Sequence, residues 1–321
     1  TTSSFVVQAL VDLALRDGAS QIVIVEGGRY GAPFSLCGYD FLRSYDPDGR
    51  VVLADLNGEK RTIARVLNGS VYRFLHLPEI ATRADVVFIS AAKLKVHVET
   101  GATLSIKNLF GVPPIPPYFD PEQAEFRSRY HLHHRGVHQS IADLHLALPI
   151  DFAVVDGIWG MEGDAPDQGR PVRMDLVAAG ANALAVDRLC AHIMGTPQER
   201  VQHFAYAAAK GLGPATLAGV QAVGDPFTPR AFLQPALPPQ VWVPRAFPAA
   251  FAPSLGEQTT IAFRLVHESR VRLQILRTSD LLPAAVVVRT LRDWTARSPG
   301  VDTAVWDGRD DDGQVVPAGS Y

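Results

Sequence analysis

Apolar residues recur at two different periods along this chain, and the change of period divides it. Near the start, Val6, Leu10, Leu13 and Ala14 share one face at helical spacing. Ser3 and Ser4 offer N-caps and Gly18 a stop, so residues 5–16 are predicted as a helix. The apolar run 22–25 reads as a buried strand. Residues 50–56 and 62–66 flank Asn57-Gly58, the pattern of a hairpin. Residues 84–90 read as another buried strand that would deliver Lys93 and Lys95 at its carboxyl end. Residues 100–109 are predicted helical, closed by the breakers of 111–117. A helix over 138–148 carries Ile141, Leu144 and Leu148 on one face. A strand at 152–156 leads into a glycine-rich loop reaching Gly169, and a strand at 175–179 precedes a helix over 183–194 capped by Asn182. Thr196-Pro-Gln-Glu199 has the form of a capping box that opens a helix running to Gly211.

Periodicity then stops. Residues 225–254 are rich in proline and alanine and read as an extended linker or an ordered strap. Trp242, Phe247 and Phe251 favour the strap, being too apolar to leave in water. Beyond it the period falls to two, in short strands at 260–265, 271–275, 286–291 and 301–306. The predicted organisation is an α/β domain over 1–224, a layered sheet with flanking helices. A linker or strap follows over 225–257, then a small all-β module over 258–321.

Composition narrows the function. A net charge of −3 over 321 residues argues against bulk electrostatic binding to nucleic acid. No apolar run approaches the ~18 residues of a spanning helix. Cys37 and Cys190 have no metal-binding spacing, and their pairing stays open. Only five lysines stand against twenty-five arginines, yet three of the five, Lys93, Lys95 and Lys107, fall within fifteen residues. Such clustering suits sites that need a compact, tunable ammonium rather than a planar fork. Six of the ten histidines lie between His97 and His145.

In open α/β sheets, ligands bind beyond the carboxyl ends of strands. Lys93, Lys95 and His97 are predicted at one such end and Asp156 and Glu162 at another. Together with Lys107, Thr103 and Asn108 they are expected to frame a site for an anionic small molecule. Lys95 and Lys107 would hold the anion, Asp156 or Glu162 would act as base, and His97 would transfer protons. A divalent transition metal on His97, His133 and Asp143 is a further candidate, since neutral imidazole suits such ions. Gly27-Gly28-x-x-Gly31 lacks the order of a dinucleotide turn and reads as a glycine turn leaving the sheet.

Over residues 1–224 the chain resembles the bacterial and archaeal family called domain of unknown function 362. The carrying motifs are Lys93-Leu-Lys95-Val-His97, Thr103-Leu-Ser-Ile-Lys107-Asn108-Leu-Phe-Gly111, Ile141-Ala-Asp143-Leu144 and Val155-Asp156-Gly157-Ile-Trp-Gly-Met-Glu162-Gly163. Pro166, Gly169, Ala185-Val-Asp187 and Met194-Gly195 extend the likeness. The upstream lysine–proline–asparagine segment usual in the family is missing, as is the ferredoxin-like cysteine set of members that handle electrons. The resemblance implies no settled reaction.

The C-terminal module resembles the immunoglobulin-like domain of flagellar hook-capping proteins. Trp306-Asp307-Gly308-Arg309-Asp310, Gly313 and Val316-Pro-Ala-Gly319-Ser-Tyr321 carry that likeness. It implies a sandwich truncated before its final strand, and a protein exported to the periplasm, cell surface or medium. Two functional readings follow. One is an enzyme with the lysine–histidine–carboxylate rim as its site. The other is a cell-surface or assembly protein in which the α/β fold is a scaffold and the β-module and strap make homo-oligomeric or cell-surface contacts.

Overall fold

The computed structural model describes residues 2–28, 34–119, 129–134, 136–235, 241–265, 268–278 and 285–321. The chain divides into two units, Thr1–Ala236 and Leu237–Tyr321. The first is mixed α/β with several small sheets, where the sequence pattern suggested one layered sheet.

Helix α1 (Ser4–Arg16) forms as the pattern requires and buries Val6, Val7 and Val11. Strand β1 (Ile22–Glu26) pairs in parallel with β2 (Val51–Asp55). The hairpin expected at Asn57-Gly58 is not formed, because β3 (Arg61–Arg65) pairs instead with β4 (Phe74–Pro78). Asn57 is held by tertiary contacts: its Nδ2 donates to Gly28 O at 2.9 Å, and its Oδ1 accepts from Ile115 N at 3.2 Å. These fix the loop more firmly than a turn preference could.

After α2 (Glu79–Thr82) comes β5 (Ile89–His97), which starts near the end of the strand expected at 84–90 and runs on through the lysines. Strict alternation over 90–97 outweighs the continuous apolar run before it, leaving Val87 and Ile89 exposed. Where a helix over 100–109 was expected, β6 (Gly101–Thr103) precedes one turn, α3 (Ser105–Asn108). Helices α4 (Tyr130–His134) and α5 (Val137–Ala147) follow. Strands β7 (Phe152–Asp164) and β8 (Gln168–Gly180) then make a long hairpin in place of the expected glycine-rich loop. Its glycines serve close packing. A Cβ on Gly160 would stand 2.9 Å from the Phe232 ring and 3.0 Å from Leu94 O.

These four strands form the largest sheet, in the order β6-β5-β7-β8. Leu94 and Val96 of β5 join Leu104, Ile106, Ile141 and Val155 in the main core. Helix α6 (Ala183–Ile193) is capped as expected, Asn182 Oδ1 accepting from Ala185 N at 2.9 Å. The expected capping box at Thr196 gives only a 3₁₀ turn at Gln198–Arg200, so α7 (His203–Ala209) starts later. Cys37 and Cys190 do not form a disulfide. Between β1 and β5 lies a cavity of about 760 Å³, lined by Ile22, Ile24, Glu26, Ile89, Ala91 and Asn108 among others.

The second unit is all β. Strands β9 (Val241–Phe247), β10 (Thr259–Leu265), β11 (Ser269–Thr278), β12 (Ala285–Arg297) and β13 (Gly300–Trp306) make two antiparallel sheets, β13-β10-β9 and β11-β12. Part of the proline-rich stretch therefore works as a strand, while residues 236–240 and the Trp242 side chain lie outside the described atoms. Phe247, expected to be covered, is 82% exposed. Trp306 is a core anchor: it packs edge-on against Phe251 and Tyr321, and its Nε1 donates to Arg309 O at 2.9 Å.

Asp143 explains how the first unit holds its loops. Its fully buried carboxylate accepts from the backbone N–H groups of Ser70, Val71 and Tyr72 at 2.7–3.0 Å and pairs with Lys210 Nζ at 3.2 Å. Removing one partner of such a pair strands the other, a loss of about 3–5 kcal/mol. Asp143→Ala is therefore expected to lower unfolding stability in urea by that amount, and Asp143→Asn by less. An unchanged midpoint in Asp143→Ala would refute this role.

Candidate functional site

Alternation along β5 places the site. Ser90, Ala92, Leu94 and Val96 point to the core, so Lys93, Lys95 and His97 share the other face. The three neighbours are then treated very differently. Lys93 is paired: its Nζ lies 2.7 Å from Asp156 Oδ2. That carboxylate is wholly buried and also accepts from Ser3 N at 2.7 Å and Ile158 N at 3.0 Å. With three donors in place, Asp156 is a fixed anion rather than the free base the sequence suggested.

Lys95 is half-buried and makes no ion pair or hydrogen bond with a described residue. Burial pushes its ammonium below the usual lysine range; Asp167 opposes this and Lys93 reinforces it. Directly across the ladder stands Thr103 of β6. Its buried hydroxyl likewise makes no hydrogen bond with a described residue. Facing residues in an antiparallel pair lie about 5 Å apart at Cβ, so a buried, unsatisfied hydroxyl adjoins the Lys95 side chain.

Further along the face, the side chains close into a ring. His97 Nδ1 accepts from Glu99 N at 3.0 Å, which leaves the ring hydrogen of a neutral imidazole on Nε2. His133 Nδ1 lies 3.2 Å from Glu99 Oε1, and the His133 ring packs edge-on against Phe110 at 4.7 Å. Lys107 Nζ sits 5.3 Å from the centre of the same Phe110 ring. Burial, then the Lys107 charge, push His97 down to about 2, so it is uncharged at neutral pH.

Behind this ring lies a pair that the sequence did not reveal. His138 and His203 stack at 5.5 Å with their Nδ1 atoms 3.2 Å apart, and neither Nε2 has a hydrogen-bond partner among the described residues. Burial holds His138 near 4 and His203 well below its usual value. His203 stands more than fifty residues past the histidine cluster. Its only local signal is an imidazole inside the alanine-rich stretch of α7.

Other expected members stand apart. Glu162 sits near the tip of the β7–β8 hairpin, where it accepts from Leu233 N at 2.9 Å and pairs with Arg170 at 3.5 Å. Asn108 Nδ2 donates to Ser90 Oγ at 3.3 Å and lines the cavity beside β1. Asp143 is occupied by loop amides, so His97, His133 and Asp143 share no common point. Among the described residues, no three His, Cys, Asp or Glu side chains converge as metal ligands would.

The first unit is thus a mixed α/β unit with two lysines and one uncharged imidazole along one strand face. The family model for Domain of unknown function (DUF362) matches residues 1–192, and the chain belongs to that family. The chain is also similar to the Thylakoid-associated protein sll1697 of Synechocystis sp., 28% identical over 145 residues. That match spans 44% of this chain and 43% of the relative, so less than half of the relative's length is covered. No solved structure matches the chain significantly. Among the described residues, no helix is long and apolar enough to cross a membrane.

The buried imidazoles make stability depend on pH. Unfolded, each takes up a proton near 6.5; folded, His138 and His145 resist until about 4 and His97 until about 2. Their stabilisation is complete above about pH 6.5 and falls as the pH drops below it, each by up to ~1.4 kcal/mol per pH unit. Asp187 works the other way, since burial raises its carboxyl from 3.8 to about 6 and favours the folded state at low pH. Urea midpoints measured from about pH 7.5 to 5 should fall, and His138→Gln should flatten the slope by one proton. A flat wild-type profile would contradict the assignment.

Proposed function

We propose that the chain is an enzyme that binds an anionic small molecule on the Lys95 face of β5. The observation that carries this reading is the adjacency of Lys95 and Thr103, two polar groups with no hydrogen-bond partner among the described residues. Burying the Thr103 hydroxyl costs free energy unless something satisfies it, and a phosphate or carboxylate drawn by the Lys95 charge could accept its hydrogen bond. Lys107 adds positive charge, and neutral His97 offers a donor at Nε2. Lys93 and Asp156 hold the strand in place beside the site.

A metal on His97 or His133 is not needed for this reading. In the same proposal the protein works outside the cytoplasm with its β-unit as an accessory module. The likeness of Trp306–Asp310 to exported immunoglobulin-like domains supports that part, and fractionation of cells carrying the full-length gene tests it.

One observation favours the assembly reading as well. The open face of the β13-β10-β9 sheet leaves Val301, Val305 and Phe247 exposed, a surface suited to contact with another chain.

Calorimetric titration with inorganic phosphate and with malonate tests the enzyme site. A lost charge-assisted hydrogen bond is worth about 1.5–3 kcal/mol, so Lys95→Met should weaken binding roughly 10- to 100-fold. Lys60→Met, at an exposed position, should leave it unchanged. Equal binding by Lys95→Met and wild type would overturn the reading.

A further inference from the structure

We infer that Lys95 is a carbonyl-reactive amine that forms an imine with an anionic aldehyde or ketone of the 2-oxo acid class. The inference rests on the anion-site reading above and names its substrate class. Three features of the β5 face support it.

An amine reacts with a carbonyl only when its nitrogen lone pair is free, and a lysine buried beside a second cation is the usual way to free it. Lys93 supplies that cation. Its ion pair with Asp156 fixes it two residues from Lys95 on the same strand face. Lys95 itself has no carboxylate within ion-pair distance among the described residues, and burial outweighs the more distant Asp167 charge that favours its proton.

The second feature is His97. Its Nδ1 is filled by the Glu99 amide, so the neutral ring donates from Nε2. An uncharged imidazole donor polarises a carbonyl oxygen without protonating competing groups. The third is Thr103, whose hydroxyl adjoins Lys95 across the ladder and has no hydrogen-bond partner among the described residues. It can bond to the tetrahedral oxygen as that oxygen forms.

The step balances without any further reactant. The Lys95 Nζ pair attacks the carbonyl carbon and forms a C–N bond, while the C=O π pair moves to oxygen, which takes a proton from that nitrogen. The resulting carbinolamine loses water as the nitrogen pair forms C=N, the departing hydroxyl carrying off the second nitrogen proton. The products are a neutral imine and one water, and the imine then takes up a proton from solvent. The substrate's carboxylate stays by Lys107.

Reductive trapping tests this on the unmodified protein. Glyoxylate or pyruvate is added with sodium cyanoborohydride, and the adduct is located by peptide mass spectrometry with and without inorganic phosphate. The expected result is labelling of Lys95 at least about tenfold faster than of exposed Lys60, slowed by phosphate. Labelling of Lys95 no faster than Lys60, with phosphate still binding by calorimetry, overturns the imine but leaves the anion site standing. No preferential labelling and no phosphate binding overturns both.

Discussion

A carboxylate buried beyond the reach of water must find its hydrogen-bond donors within the chain, because an unpaired buried charge costs several kcal/mol. Three aspartates of the first unit, Asp143, Asp156 and Asp187, are in that position. Each gathers backbone N–H groups from a distant segment. Asp143 takes those of residues 70–72, and Asp156 takes that of Ser3 together with the Lys93 ammonium. Asp187, on α6, takes the amides of Ser105 and Ile106 and the Ser105 hydroxyl. Short elements such as α3, one turn long, have little stability alone. These carboxylates fix where they begin.

The site inherits that rigidity. Asp187 holds the start of α3 and so sets where Lys107 stands, two residues on. Asp156 anchors Lys93, and with it the strand on which Lys95 and His97 ride. The proposed site therefore sits on groups held by buried charge, while the Thr103 hydroxyl beside it has no hydrogen-bond partner among the described residues. Desolvation shapes both sets. It demands donors around the aspartates and strips protons from the histidines.

How far the sequence foretold this depended on how local each signal was. Helix α1 and the Asn182 cap of α6 were legible because caps and helical spacing act within a few residues. The i, i+2, i+4 spacing of Lys93, Lys95 and His97 matches their shared face. The β7–β8 hairpin was not legible, since Gly157 and Gly160 look like loop residues until Leu176 and Phe232 are packed against them. The Asn57-Gly58 turn failed for the same reason, its side chain being claimed by segments far away in sequence. Glu162 and Asp143 were read as site chemistry because a sequence cannot show which backbone amides will surround a carboxylate.

The pairing of β5 with β7 has one irregularity with a wider consequence. Lys93 lies opposite Asp156 and Lys95 opposite Met161, so two steps along β5 are matched by five along β7. The surplus is absorbed by the Gly157–Gly160 excursion. Insertions and deletions should therefore act differently in the two strands. Loss of one residue between 93 and 97 in β5 would exchange the faces beyond it, turning charged side chains inward and leucine or valine outward. The excursion in β7 departs from the ladder with β5 but stays paired with β8 and closely packed at Gly157 and Gly160. A change of length in β5 therefore acts on every side chain beyond it, whereas one in β7 first meets the packing around its two glycines.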